Sequence, residues 1–266
     1  MKKLLAFITA TLLLCLCAFN VLATEESKPT VYVTISDENG NLVLSYEEIE
    51  YFDWDEDGKY TINDALAIAH MIKYPGGIDG YASEESVYGC SMTKLWGAQT
   101  GAYGYYVNNA SPASLLDQIQ IGNHIQAFVY TDTANFSDTF CFFDQIKMEC
   151  SVNHSVTLTL SALSYDENWN TITVPVKNAE ILVNGKPIGT YTDENGKATF
   201  IMEEGGTVLI SAKSDEMNLV PPICVAEVNA SIYVAATVLA VIAIAVIAVI
   251  TVFAAKKFIR THTLKA

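Results

Sequence analysis

Residues 52–70 read FDWDEDGKYTINDALAIAH, an acidic turn that runs directly into an apolar pattern. From Ile62 onward, apolar residues recur at spacings of three and four, which predicts an amphipathic helix. The helix is expected to end before Pro75, because proline cannot continue a helix. The segments before and after it alternate between apolar and polar residues, as strands do. This stretch therefore places one helix within a mainly β chain.

The acidic turn has the ligand spacing of a calcium loop. In an EF-hand-type loop, positions 1, 3 and 5 supply side-chain oxygens, position 6 is glycine, position 7 gives its carbonyl, and positions 9 and 12 complete the shell. Counted from Asp53, every position carries a suitable residue. Aspartate at position 12 predicts weak binding, in the roughly 10⁻⁴ to 10⁻³ M range of extracellular modules. The predicted calcium ligands are Asp53, Asp55, Asp57, Lys59, Thr61 and Asp64.

The same turn allows a simpler interpretation without a metal ion. Thr61 would cap the helix, and Asp64, three residues later, would complete a capping box in place of the usual Glu. The turn would then be a solvated acidic loop. The calcium interpretation has a physical motive, because four aspartates and Glu56 would otherwise crowd their negative charges together.

The two ends of the chain predict export and membrane anchoring. Residues 1–23 have a basic start, a short apolar core and small residues before the end, which predicts a signal peptide cleaved after Ala23. Residues 232–255 are uncharged over 24 residues, long enough to cross a hydrocarbon core of about 30 Å as a helix. The basic flank of residues 256–266 predicts a cytoplasmic tail. The expected protein crosses the cell membrane once, with its ectodomain outside the cell.

The charge of the ectodomain limits its partners. Residues 24–231 contain nine lysines, no arginine and all 30 acidic residues, a net charge of −21. Such a surface repels nucleic acid and attracts divalent cations, so calcium is an expected cofactor and nucleic acid is not an expected partner. An enzyme is not expected either, because the histidines match no metal-binding or nucleophile motif. The four histidines are His70, His124, His154 and His262.

Four cysteines remain outside the signal segment, an even number in an oxidising compartment. Three pairings are possible, and the preferred prediction joins the first two and the last two. Free buried thiols are the alternative. The cysteines are Cys90, Cys141, Cys150 and Cys224.

The strand patterns predict two units. An alternating hairpin around the turn DENG, then the helix, then more strands is the order of a β-grasp-like α+β domain, placed at residues 30–148. Residues 151–228 consist of short alternating segments separated by Asn-Gly and Gly-Gly turns, which predicts an immunoglobulin-like β-sandwich. The predicted fold class is mainly β with one helix, followed by a C-terminal transmembrane helix.

Two stretches resemble known families. Residues 53–64 with the following helix resemble one half of the calcium-binding repeat of type I dockerins, which have two such halves. Residues 96–132 resemble the transcobalamin C-terminal-like β-grasp family, in which a Tyr-x-Val-Asn turn precedes Leu, a Gly-Asp turn and a strand ending in Tyr. Here Gly122-Asn123 replaces the Gly-Asp turn. Across residues 30–228 the arrangement is similar to cell-surface proteins of gut Firmicutes.

The transcobalamin-like resemblance implies a surface that could hold cobalamin or another flat ligand. Aromatic and amide side chains would form it. The alternative is that the aromatic side chains belong to the core of the sheet. The candidate ligand-binding residues are Trp96, Tyr103, Tyr105, Tyr106, Asn108 and Tyr130.

The predicted function is non-enzymatic. The chain is expected to act at the cell surface in extracellular binding, adhesion or display, with a protein or a glycan as its partner. Tethered capture of cobalamin, a corrinoid, or of another small-molecule nutrient is the alternative.

Overall fold

The computed structural model describes residues 28–87 and 89–229. The predicted signal peptide, the predicted transmembrane helix and the predicted cytoplasmic tail lie outside the described residues. Within those residues, no helix has the length and apolar character needed to cross a membrane. The described part is mainly β, with one α-helix.

The first unit is a four-stranded sheet with the helix packed on one face. Its elements are β1 (Thr30–Ser36), β2 (Leu42–Glu50), α1 (Ile62–Lys73), β3 (Ala82–Ser86), β4 (Gly89–Lys94), β5 (Tyr103–Val107) and β6 (His124–Val129). The strand order is β2-β1-β6-β5. The central strands β1 and β6 are parallel, and both outer pairs are antiparallel. Strands β3 and β4 form a separate hairpin, which follows a 3-10 turn at Gly77–Gly80.

The helix begins and ends where local chemistry predicts. Thr61 is its N-cap, and the side chains of Thr61 and Asp64 cap each other's backbone N–H groups. Leu66 and Ile68 are fully buried against alternate residues of the sheet, including Val33. Full burial of such a side chain stabilises the fold by about 1.5 to 3 kcal/mol. The amphipathic pattern thus places α1 across one face of the sheet.

The second unit consists of two sheets around a common core. Its strands are β7 (Thr139–Phe143), β8 (Lys147–Ser151), β9 (Ser155–Tyr165), β10 (Thr171–Pro175), β11 (Glu180–Val183), β12 (Lys186–Tyr191), β13 (Lys197–Ile201), β14 (Gly206–Lys213), β15 (Leu219–Val220) and β16 (Cys224–Asn229). One sheet has the order β10-β9-β7-β15, with β13 also paired to β9, and the other has the order β12-β11-β14-β16-β8. Leu158 and Leu160 from the first sheet and Ile181 and Ile210 from the second are fully buried in this core.

The pairing of β7 and β8 moves the boundary between the units. The predicted first unit ran to residue 148, so it included β7 and the first two residues of β8. In the structure β7 pairs with β9, and β8 lies parallel to β16. Both strands therefore complete the sandwich, and the first unit ends after β6. Alternation reveals that a strand exists, but it does not tell which other strand will be its partner.

The two units share a buried aromatic seam. The ring of Tyr106 on β5 stacks on Phe140 of β7, with centroids 3.7 Å apart. Phe128, Phe140 and Val220 are buried together there. The ring of Phe128 fits here because Gly104 has no side chain. A Cβ at residue 104 would lie 2.1 Å from the nearest ring carbon. The face of the first sheet opposite the helix is therefore covered, in part, by the second unit.

Neither predicted disulfide is formed, and all four described cysteines are free. Cys90 lies in the core of the first unit and Cys141 in the core of the second. Cys150 stands opposite Val228 in the parallel pair, whereas Cys224 lies four residues earlier on β16. At about 3.3 Å per residue, that offset is about 13 Å, well beyond the roughly 7 Å limit between Cα atoms in a disulfide.

We expect alkylation to follow burial of the thiols. Burial raises the pKa of Cys224 to about 12, and Cys141 is also fully buried with a raised pKa. Cys150 is half-buried, so it should be the first of these three to react with iodoacetamide in the folded chain. Mass spectrometry of the labelled peptides resolves each position. Unlabelled peptides linked by a disulfide after unfolding would contradict the free-thiol structure.

Candidate functional site

Three aspartates converge in the loop that connects β2 to α1. Asp53, Asp55 and Asp57 each place a carboxylate oxygen within 4.8 Å of the others. Within the described residues, they are the one group of three His, Cys, Asp or Glu side chains gathered closely enough to hold a metal ion. Gly58 turns the chain with φ of +84°, and no atom lies near its missing Cβ. The loop thus presents an open carboxylate cluster beside the start of the helix.

Backbone N–H groups of the loop orient these carboxylates. Asp53 accepts from the N–H groups of Asp57, at 3.1 Å, and Gly58, at 2.8 Å. Asp57 accepts from the N–H of Lys59 at 2.8 Å, and the Lys59 ammonium lies 3.2 Å from the same carboxylate. The ammonium neutralises part of the negative charge, although both groups are in contact with solvent and the pair is weak.

Thr61 and Asp64 are engaged in the helix cap. One oxygen of the buried Asp64 carboxylate accepts the Trp54 N–H at 2.9 Å, and the other accepts both the N–H and the hydroxyl of Thr61 at 2.7 Å. The capping box of the simpler interpretation is therefore present. Of the six predicted calcium ligands, the structure gathers three carboxylates into one cluster and assigns Thr61 and Asp64 to the cap.

Asp64 nevertheless adds to the electrostatics of the cluster. Burial, followed by the charges of Asp64, Asp57 and Asp53, raises the pKa of Asp55 above its ordinary value. A raised carboxyl pKa means that the charged form is disfavoured where it stands. A divalent cation would remove that penalty, and carboxylate oxygens are the ligands that calcium prefers.

Three of the predicted ligand-binding residues lie on the helix side of the first sheet. Trp96, Tyr103 and Tyr105 all pack against the core of this unit. The Trp96 N–H donates to His70 at 3.0 Å, and the Tyr103 hydroxyl donates to the carbonyl of Thr93 at 2.9 Å. Trp96 also borders a cleft of about 320 Å³.

The other three lie on the opposite face or in a turn. Tyr106 and Tyr130 pack into the aromatic seam between the units. Asn108 accepts the N–H of His124 at 2.8 Å and has a left-handed φ of +49°. The six residues are therefore divided between two faces and do not form one binding surface. Most of them serve the packing that the alternative interpretation expected.

Two buried histidines were not recognised from the sequence as structural residues. The Nε2 atom of His70 accepts the Trp96 N–H, so Nδ1 carries the proton and donates to the carbonyl of Leu66 at 2.7 Å. His124 lies 2.8 Å from the Thr34 hydroxyl. Burial lowers the pKa of both to about 4. The signal was their position, since each falls on an apolar helix or strand.

Comparison with known proteins yields distant structural similarity alone. No protein-family model matches the chain, and no curated protein matches it. The chain is similar to the N-terminal four immunoglobulin domains of Dscam1 isoform 4.44, with 12% identity, 57% of this chain and 32% of that chain covered, and a TM-score of 0.22. It is also similar to the D0-D1 domain of intimin, with 16% identity, 55% and 72% covered, and a TM-score of 0.24.

The chain thus spans about a third of the Dscam1 fragment. TM-scores this low carry no argument about function. The resemblances to dockerins and to the transcobalamin-like family receive no support from these comparisons.

Proposed function

We propose that this chain is a non-enzymatic cell-surface protein that acts in extracellular binding, adhesion or display, anchored through residues 232–255 and stabilised by one structural calcium ion. The observation that carries the calcium part is the convergence of Asp53, Asp55 and Asp57 at the start of α1. The location rests on the sequence of the two ends and on the strongly acidic region between them.

The arrangement of strands supports two modules, a β-grasp-like domain and an immunoglobulin-like sandwich. The order β2-β1-β6-β5, with a parallel central pair and a helix on one face, is the arrangement of a β-grasp domain. The second unit has two facing sheets of short, mostly antiparallel strands, as an immunoglobulin-like sandwich does. Both scaffolds present loops and strand faces on a rigid core, but neither defines an activity by itself.

A calcium ion at the loop would act on stability. It would neutralise the clustered carboxylates and fix the chain where it enters α1, the helix that closes the core of the first unit. Its ligands would be the carboxylates of Asp53, Asp55 and Asp57, with the carbonyl of Lys59 as a further donor. Thr61 would stabilise the start of α1 as its N-cap residue.

Calcium is expected to raise the melting temperature of the full-length chain. For a dissociation constant of about 10⁻⁴ to 10⁻³ M, calcium at about 10 mM stabilises the folded state by about 1.4 to 2.7 kcal/mol. That corresponds to a rise of about 6 to 20 °C in the melting temperature of the first unit, because 1 kcal/mol shifts that of a domain of about 100 residues by about 4 to 8 °C. Thermal scans after chelator treatment, with and without calcium, measure this rise.

The variant Asp55→Asn with Asp57→Asn tests where the ion binds. It should abolish the calcium-dependent rise. Asp193→Asn with Glu194→Gln is the matched control, because it removes two charges from an acidic turn outside the cluster. An equal rise in the parent and in the Asp55 and Asp57 variant would place the ion elsewhere, and no rise in the parent would leave the loop as an acidic turn.

Surface location has its own test. In intact cells, a protease added outside should cleave the ectodomain, while an epitope tag after residue 266 stays protected until the membrane is permeabilised. Protection of the ectodomain in intact cells would overturn the proposed location. Capture of cobalamin gains no support from the placement of the aromatic residues, because they are divided between two faces of the sheet.

A further inference from the structure

Three turns of this protein share one pattern. They read DENGN at residues 37–41, DENWN at residues 166–170 and DENGK at residues 193–197. In each, the first residue donates its N–H to the carbonyl of the fifth, and the fourth donates to the carbonyl of the first, at 2.8 to 3.0 Å. The second, third and fourth residues of the pattern form a three-residue hairpin loop. The last of these three takes the left-handed conformation that glycine adopts most easily. Two turns have that glycine, and the third has a tryptophan.

Trp169 is therefore unfavourable for folding at its position. Gly40 and Gly196 both have φ of +74° in their turns, and Trp169 has φ of +62°. A bulky side chain at positive φ is rare because its Cβ crowds the backbone. Trp169 is also 83% exposed, so it gains little by packing. A tryptophan that costs conformational energy and remains in water indicates a role outside the fold.

Phe136 repeats this combination on the neighbouring turn. Its φ is +53° and its ring is 55% exposed. The Phe136 ring meets the ring of Tyr130 edge-on, with centroids 5.4 Å apart. Trp169 lies 6.3 Å from Tyr165, which is itself 58% exposed.

These four residues form one surface, called here the aromatic ridge: Tyr130, Phe136, Tyr165 and Trp169. The two pairs are neighbours, because β7 runs antiparallel to β9 with Cys141 opposite Ala162, which brings Asp138, just before β7, level with Tyr165 at the end of β9. The Asp138 carboxylate also accepts the N–H of Thr131, the residue after Tyr130, at 2.8 Å. The ridge stands on the buried seam, where the Tyr130 ring lies 5.1 Å from Phe128. Its inner edge is therefore held by both units, while its outer edge is open to solvent.

The ridge is bordered by negative charge. The turns that carry it, residues 131–138 and 166–170, contain four carboxylates and no basic residue. The Ser137 hydroxyl and the amide groups of Asn135 hold the pKa of Asp132 at about 2, and Asn170 lowers the pKa of Asp166. Both side chains thus stay ionised at any physiological pH. The carboxylates are Asp132, Asp138, Asp166 and Glu167.

We propose that the aromatic ridge docks a cationic, arginine- or lysine-bearing segment of an extracellular partner protein. Aromatic faces attract such cations, and the surrounding carboxylates complement their charge. A second copy of this chain is the poorer occupant, because the extracellular part has a net charge of −21 and would repel itself. This inference rests on the proposed role as a surface-binding protein.

The test variant follows from the three turns. Trp169→Gly gives residues 166–170 the glycine that the other two turns have, so folding should be unaffected or improved while the outermost ring is lost. Binding of a fluorescent oligoarginine peptide to the full-length chain in non-ionic detergent, at about 0.15 M salt, is measured by anisotropy. We expect Trp169→Gly to weaken binding about tenfold or more, as loss of a central aromatic contact does.

Ile201→Thr is the control, since it removes a side chain of equal exposure to Tyr165, 58%, from another surface. It should leave the affinity unchanged. Equal peptide affinity in the parent and Trp169→Gly would mean that net charge alone holds the peptide, and the proposal would be wrong. It would also be wrong if the parent does not bind oligoarginine.

The same variants distinguish two other possible partners of the ridge, a glycan and a second copy of this chain, from a cationic segment. If a neutral oligosaccharide such as chitohexaose, rather than oligoarginine, depends on Trp169, the ridge is a glycan surface. If Trp169→Gly abolishes concentration-dependent self-association, a second copy covers it. Either result would overturn the cationic assignment. The surface-protease experiment is independent of these variants, so failure of the ridge leaves the proposed location intact.

Discussion

Lowering the pH from 7 to 4 is expected to reduce the free energy of unfolding by about 6 kcal/mol. The cause is a pair of buried histidines, His70 and His124, whose pKa values burial lowers from 6.5 to about 4. Each contributes about 3 kcal/mol, because a pKa difference of one unit corresponds to about 1.4 kcal/mol. A domain is typically stable by about 5 to 15 kcal/mol, so this loss should bring the chain close to unfolding.

The direction of the effect follows from proton binding. Between pH 4 and pH 6.5 the unfolded chain binds protons at both imidazoles and the folded chain binds few. Stability therefore rises with pH through this window and is level, for these groups, above it. At His70 the geometry gives the reason, because Nε2 already accepts the Trp96 N–H, and a proton there would set two N–H groups against each other.

Two substitutions test whether the histidines cause the loss of stability at low pH. His70→Gln and His124→Gln should each reduce the slope of unfolding free energy against pH by about one proton in this window. His154→Gln, at an exposed position, is the control for loss of an imidazole. Urea unfolding at several pH values gives the slopes. A parent slope that neither variant changes would mean that the acid sensitivity has another origin.

Gly196→Ala is expected to cost about 3 kcal/mol or more, far more than the same substitution at Gly185. Both glycines have φ of +74°, so both variants carry the same backbone strain, about 1 to 2 kcal/mol. A Cβ on residue 196 would also lie 2.3 Å from the carbonyl oxygen of Leu160, whereas none lies near residue 185.

The neighbours of Gly196 have little freedom to move. The N–H of Leu160 donates to the Gly196 carbonyl at 2.8 Å, and the carbonyl of Leu160 accepts the Val176 N–H at 3.0 Å. Relieving the clash would break the hydrogen bonds that join the backbone at Leu160 to the backbone at Gly196 and at Val176. Urea unfolding of both variants isolates the contact, because the shared strain cancels in their difference. Equal losses at the two positions would show that the clash relaxes without cost.

Much of the first unit could be predicted from short stretches of sequence. The apolar spacing after Ile62 and the Thr61 and Asp64 pair define α1, and both signals operate within a few residues. The aspartate spacing before the helix predicted a carboxylate cluster, and the structure gathers three of its members. Turns of the DENG type were equally visible, because their hydrogen bonds close within five residues. Such features depend on local bonds that the residues themselves supply.

Only the tertiary structure decided which strands pair and which faces are covered. β8 joins β16 and β7 joins β9, which moved the boundary between the units and separated Cys90 from Cys141. It also placed Tyr106 and Tyr130 in a seam, away from Trp96 on the helix side. Alternation along a strand tells which residues share a face, but what lies against that face comes from distant parts of the chain. Long-range packing sets those contacts, and no local pattern encodes them.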